Sequence, residues 1–218
     1  AELNFTHSED KIVAEISRPL TAGQTAVFEV EFSGSPTPES IMGFEFQHTD
    51  EGAPVAVTVS EPWSARSWWP CKDDLTDKAT VSTTFAVPTG LTAVGNGNEL
   101  IVAPPEHPYE DYTAPGRVTT TWQESFPIST YLVSLAASDY VEFGQPYSGP
   151  AGELTLQHHV YPYLETAAQQ QFSILPEMLD FCGDLLGPLP FAGEKYGMAM
   201  CNWDGAMEHP TAVTWGDY

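Results

Sequence analysis

The sequence predicts a mainly β chain: an antiparallel β-sandwich followed by a shorter segment that mixes a helical stretch with short strands. Three observations carry this expectation. Apolar and polar residues alternate with a period of two in one stretch after another, as half-buried strands require. Clusters of Gly, Pro, Asn and Asp separate those stretches at short intervals. Helical spacing of three and four is confined to one region, from Leu164 to Leu186. Many strands, frequent turns and a single late helical region are the pattern of an antiparallel sandwich module with something appended.

Taken in order, Lys11 to Ile16 and Ala26 to Phe32 alternate, the second setting Val27, Glu29 and Glu31 against Phe28, Val30 and Phe32. Pro36 and Pro38 would each remove a ladder hydrogen bond, so that piece is a loop. Gly43 to Gln47 and Val55 to Val59 flank Asp50-Glu51-Gly52, a predicted hairpin tip. Ala79 to Val87 alternates again, and Gly95-Asn96-Gly97-Asn98 is a turn between strands. Residues 103–116 read as a long surface loop, rich in Pro. Val118 to Glu124 is a strand, and Tyr131 to Ala137 is a continuously apolar one, buried on both faces. After the strand Leu154 to Val160, the helical region runs to Leu186, with Pro176 kinking or dividing it. Gly187-Pro188-Leu189-Pro190 stops it. The strand Gly197 to Cys201 and the short strand Ala212 to Trp215 complete the chain. The change of character near residue 155 predicts two parts, 1–155 and 156–218.

Composition removes several classes of function. Lys+Arg 7 against Asp+Glu 30 gives a formal charge of −23, which argues against nucleic acid and anionic membrane as partners. No apolar run approaches a membrane span, and Ala1 does not begin a signal sequence. The start without Met reads as processing or as a fragment, which leaves cytoplasm, periplasm and exterior all open as compartments. Cys71, Cys182 and Cys201 form neither a disulfide framework nor a four-ligand zinc spacing. His158 and His159, adjacent in a strand, point to opposite faces and are poorly arranged to share a metal.

The stretch that carries chemistry is Gly205-Ala206-Met207-Glu208-His209. Small residues let another backbone approach, and the carboxylate beside them can hold a cation at a fixed distance from it. Read by its residues alone, it suits gripping a peptide by its amino end, and it equally suits an edge strand with a solvated Glu. The run resembles the Gly-Ala-Met-Glu-Asn motif of the M1 family of zinc aminopeptidases, with His209 where the motif has Asn. Glu61-Pro62-Trp63-Ser64-Ala65-Arg66, continuing through Pro70-Cys71-Lys72-Asp73 to Asp77-Lys78-Ala79-Thr80, is similar to a second family segment. Ser129-Thr130-Tyr131-Leu132 is similar to a third.

The resemblance implies a saddle-like β-sandwich domain over 1–155, lacking its first strands, and the beginning of a thermolysin-like α/β catalytic domain over 156–218. It implies that Glu208 anchors the substrate ammonium, with Glu61 as a second acidic group on the same cation. Charge-assisted hydrogen bonds make such a pairing stronger than a neutral one, and the arriving cation relieves the repulsion between the two acids. Gly205 and Ala206 are expected to offer backbone contacts to an extended substrate. Met207, within the same substrate-binding run, is expected to serve packing more than contact. Trp68 and Trp69 are core aromatics before they are a subsite wall, and Cys71 is expected to be a buried, inert thiol.

None of the six His residues is followed by Glu, so the zinc-binding His-Glu-x-x-His is absent from this sequence. The expectation is therefore a fragment, with no catalytic or metal-binding residue of its own and inactive alone. Zinc would belong to the parent enzyme, which removes N-terminal residues from peptides. The partners would be peptide substrates and the remaining catalytic and C-terminal domains. The alternative is a non-catalytic β-sandwich that binds peptide or protein, a degenerate relative of the M1 peptidases.

Overall fold

The computed structural model describes residues 3–36, 43–101 and 114–216. The chain divides into two compact units, Ala1–Gly34 and Ser35–Tyr218. The first unit holds one antiparallel hairpin, β1 (Phe5–Ser8) with β2 (Lys11–Ala14), turned by Glu9 and Asp10 at positive φ. The expected strand Ala26 to Phe32 does not form. Alternation produces a strand only where a neighbouring edge accepts its backbone bonds and an apolar layer receives one face. Every residue from Asn4 to Ser35 is exposed instead, Val27 at 92%.

The second unit begins with β3 (Gly43–His48) and β4 (Pro54–Val59), joined by the expected hairpin tip, where Gly52 takes φ +87° and its N–H donates to Thr49 O. There follow β5 (Ala79–Pro88), β6 (Thr92–Gly95), β7 (Asn98–Leu100), β8 (Arg117–Ile128) and β9 (Leu135–Ser138). They build two antiparallel sheets, β3-β4-β9-β6 and β5-β8-β7. Phe85 and Val87 of one sheet pack on Ala93, Leu135 and Ala137 of the other, as a sandwich requires. The Gly95–Asn98 turn thus crosses between sheets. The apolar run after Tyr131 is only partly strand: Thr130–Leu132 form a 3-10 turn, and Leu135–Ser138 alone pair, although Val133 to Ser138 are all buried as expected. Most of the loop expected over 103–116 lies outside the described residues.

The remaining elements are β10 (Val141–Gly149), β11 (Gly152–Val160), α1 (Glu165–Phe172), α2 (Leu175–Leu186), β12 (Lys195–Tyr196), β13 (Met198–Cys201), β14 (Ala206–Met207) and β15 (Val213–Gly216). Their sheet runs β10-β11-β13-β15-β14, with β12 also beside β11. The β11–β13 and β13–β15 pairs are parallel, and the two helices supply the crossover that a parallel β11–β13 pair needs. Pro176 divides the helical region as expected, and it does so from the first turn of α2, where its missing N–H costs nothing. Both faces of this sheet are covered. His158 packs on Phe143 and Phe172 of α1, whereas His159 lies edge-on to Trp122 and Tyr140, so the two rings do face opposite ways.

Trp122 is the keystone of the resulting core. It is 1% exposed, donates through Nε1 to Ala93 O at 3.0 Å, and packs on His159 from the mixed sheet. Trp122→Ala removes a large buried ring where three sheets meet. We expect it to cost about 3–5 kcal/mol, read as a lower urea midpoint.

Candidate functional site

Glu208 stands just past β14, the last strand in its sheet order, so one backbone edge of β14 meets no strand among the described residues. Ala206 and Met207 pair with Trp215 and Thr214, and Gly205 O accepts from Gly216 N–H at 2.8 Å. A Cβ on Gly205 would sit 3.2 Å from the Trp203 ring, which explains the small residue there. Met207 is 1% exposed, which assigns its side chain to packing. Ala206 and Glu208 point the other way, into solvent.

His209 turns back into the protein and is fully buried. Its Nδ1 lies 2.8 Å from Thr214 Oγ1, and its backbone N–H donates to Met207 O at 2.8 Å, which closes a tight turn around Glu208. Burial pushes its pKa down to about 3, so the ring is neutral near pH 7.

Glu61 is exposed and lies two residues past the end of β4. Its position is set by Ser60, which is fully buried, accepts from Trp68 Nε1 at 3.1 Å, and receives Ser64 N–H on its carbonyl. Trp68 in turn meets Phe44 and Trp69, so these aromatics are packing groups. Cys71 is half-buried rather than buried. Burial and the Asp73 carboxylate push its thiol up to about 11, so the expected inertness holds.

Tyr131 responds to both acids, though burial acts on it more strongly. Its phenol is raised above its ordinary pKa by burial, then by the Glu208 carboxylate, then by that of Glu61. Two carboxylates distant in sequence therefore act on one hydroxyl. Sequence reasoning assigned Tyr131 to a buried strand, whereas it sits in the 3-10 turn, half-exposed.

Behind this surface lies a buried polar cluster that the sequence did not announce. Lys195, 3% exposed, donates through Nζ to Gly95 O at 2.8 Å and Thr211 O at 3.2 Å, and lies 4.6 Å above the Trp122 ring. Burial pushes its pKa down to about 7, against the pull of Glu124, Glu194 and Glu99. Glu124, fully buried on β8, is pushed up to about 7 by burial and then by the neighbouring Glu194 carboxyl group. Ser125 N–H donates to Glu194 Oε1 at 2.9 Å. Among the described residues no three His, Cys, Asp or Glu side chains gather as a metal site, so these residues do not fit a zinc ion. No helix among them is long and apolar enough to cross a membrane.

This fold is shared with solved M1 zinc metallopeptidases. A variant of a two-domain M1 zinc metallopeptidase bound to L-arginine aligns with 98% of this chain and 48% of its own, at TM-score 0.71 and 22% identity. The M1 zinc metallopeptidase from Deinococcus radiodurans aligns at TM-score 0.70 and 21% identity, over 98% of this chain and 47% of its own. At such identities the likeness establishes the fold. Residues 1–132 match the family model of the Peptidase M1 N-terminal domain, and the chain belongs to that family. Aminopeptidase M1 of Arabidopsis thaliana is 34% identical over 141 residues, which are 62% of this chain and 15% of that protein. Glutamyl aminopeptidase of Rattus norvegicus is 28% identical over 176 residues, 79% of this chain and 18% of that protein. The chain thus spans less than a fifth of the curated relatives it matches.

The buried His209 fixes a sign for acid sensitivity. Its folded pKa, about 3, lies below its ordinary 6.5, so between those values the unfolded chain binds a proton that the native chain refuses. Stability therefore falls as pH drops from 6.5 towards 3, by up to about 1.4 kcal/mol per pH unit for this group. Denaturant titrations at pH 6 and pH 4 should give a loss of stability smaller by about 2 kcal/mol in His209→Asn than in the wild type.

Proposed function

We propose that this chain is the amine-recognising part of a zinc aminopeptidase that removes N-terminal residues from peptides. Glu208 receives the substrate ammonium, Glu61 approaches it from the sandwich, and the free edge of β14 at Gly205 and Ala206 lines up the extended peptide. The observation that carries this reading is the edge of β14 that meets no strand among the described residues, with Glu208 exposed just past it; the upward push of both Glu208 and Glu61 on the Tyr131 phenol supports it. The family membership supports it, and no observation favours a non-catalytic binding module. In this proposal residues 1–155 are the β-domain, and 156–218 open the catalytic domain. A zinc centre and the attack of water belong to the remaining catalytic domain, which with the C-terminal domain is this segment's partner in one chain.

Two acids around one ammonium act differentially: their mutual repulsion without substrate becomes attraction with it. Glu208→Gln keeps the shape and removes the charge. In the full-length protein it should raise KM for substrates with a free α-amine about ten- to hundredfold, the value of a charge-assisted hydrogen bond. Glu61→Gln should act in the same direction and less strongly. Unchanged KM in both variants would sink the proposal.

A further inference from the structure

The turn Gly95-Asn96-Gly97-Asn98 does more than connect β6 to β7. Each of its four residues bonds to the C-terminal part of the chain. Gly95 O accepts from Lys195 Nζ at 2.8 Å. Asn96 Nδ2 donates to Leu132 O and to Pro210 O, both at 3.0 Å, while its Oδ1 accepts from Ser134 N–H at 2.8 Å. Gly97 N–H donates to Thr211 Oγ1 at 2.5 Å. Asn98 Oδ1 accepts from Lys195 N–H at 2.9 Å, and its Nδ2 donates to Gly193 O at 3.4 Å.

The chemistry of these groups leaves them little choice. Asn96 is 3% exposed, and its carboxamide orientation is forced, since an amide hydrogen needs its oxygen and two carbonyls need its nitrogen. Gly97 takes φ +80°, and a Cβ there would fall 1.7 Å from Gln123 O, so only glycine brings that N–H to Thr211. Thr211 itself, a β-branched residue, is held at φ +64°, a conformation that persists only when its surroundings impose it. The turn is built to grip the loop between β14 and β15.

The two carbonyls on Asn96 decide what that grip is for. Leu132 follows Tyr131 immediately, and Pro210 follows the Glu208–His209 pair. One side chain therefore ties the segment bearing the phenol to the segment bearing the carboxylate. We infer that Asn96, seconded by the Gly97–Thr211 bond, is a positioning residue that sets Glu208 against Tyr131 for recognition of a substrate ammonium. The inference rests on the reading of Glu208 as the amine anchor. Asn96 touches no substrate; it acts through the Pro210 and Leu132 peptides. Loss of its NH₂ leaves two carbonyls buried without their donor and frees the Glu208 turn to move. A drift of the carboxylate weakens a directional bond to an ammonium and leaves the rest of the substrate's contacts alone.

The test compares two probes that differ by the amine alone, leucine hydroxamate and 4-methylpentanohydroxamate, titrated calorimetrically into the full-length protein. Wild type should bind the amine-bearing probe about tenfold or more tightly than the other. Asn96→Asp, which keeps the acceptor and replaces the donor by an oxygen, should bring that ratio close to one while the des-amino affinity holds. Thr211→Val, which deprives Gly97 N–H of its acceptor, should lower the ratio, and Thr211→Ser should restore it. A merely structural role would weaken both probes together. The inference is overturned if Asn96→Asp and Thr211→Val keep the wild-type ratio while Glu208→Gln loses it. If Glu208→Gln also keeps the ratio, the amine-anchor reading itself has failed and the inference with it. Should Asn96→Asp not fold, the Thr211 pair decides between the same outcomes.

Discussion

The arrangement depends on the bonds of one buried lysine. Lys195 has been taken out of water, which costs several kcal/mol for an ion that finds no compensation. Two carbonyl acceptors, the face of Trp122 and the nearby carboxylates of Glu124 and Glu194 supply it. The acceptors come from unrelated places: Gly95 closes a strand of the sandwich, and Thr211 lies in the loop of the mixed sheet. A lysine in such a position is specific in a way that apolar packing is not, because any shift of either carbonyl leaves a buried donor unsatisfied. The sandwich and the loop behind Glu208 are therefore held in a single register. The neighbouring contacts of Asn96, Gly97 and Asn98 repeat the constraint with neutral groups.

The sequence made the local elements legible and left the long-range ones dark. The β3–β4 hairpin could be read because alternation and the Asp50-Glu51-Gly52 tip both act within a few residues. Ala26 to Phe32 has the same alternation and is no strand, since period tells which face is apolar and says nothing of whether a partner edge exists. Ser129 to Leu132 was visible as a family-like run, yet the 3-10 turn that exposes Tyr131 was not, because its apolar neighbours mimic a buried strand. At the site, Glu208 and Glu61 were singled out because the runs around them resemble M1 family segments. Asn96, Lys195, Glu124 and Thr211 were missed. Gly95 to Asn98 reads as a turn and nothing else, and its bonds reach partners on the far side of the chain. The one available signal was the rarity of basic residues, seven in all, which makes a lysine set among Gly193, Glu194 and Tyr196 worth a question.

His209, where the resembled motif has Asn, is held inside the protein. The position is an interior one: the side chain points into the core and bonds to Thr214, while the preceding residue faces solvent. What the position requires is a polar group that can bond across to β15 and stay uncharged. A neutral imidazole meets both demands, and desolvation keeps it neutral. The alternation of buried Met207, exposed Glu208 and buried His209 then works as a clamp, with the flanking residues locked so that the middle one has little freedom.

The overall charge of −23 is a tempting source of affinity for a cation, and the numbers argue otherwise. At physiological salt the Debye length is about 8 Å, so carboxylates scattered over the surface raise the local concentration of cations without choosing among them. Selection has to come from groups close enough to escape screening and fixed enough to impose direction. In the proposed reading Glu208 and Glu61 are those groups, and the Gly95–Asn98 turn supplies the second condition by gripping the Glu208 loop. The acidic surface attracts without discrimination; the buried neutral and cationic groups behind it give the attraction its geometry.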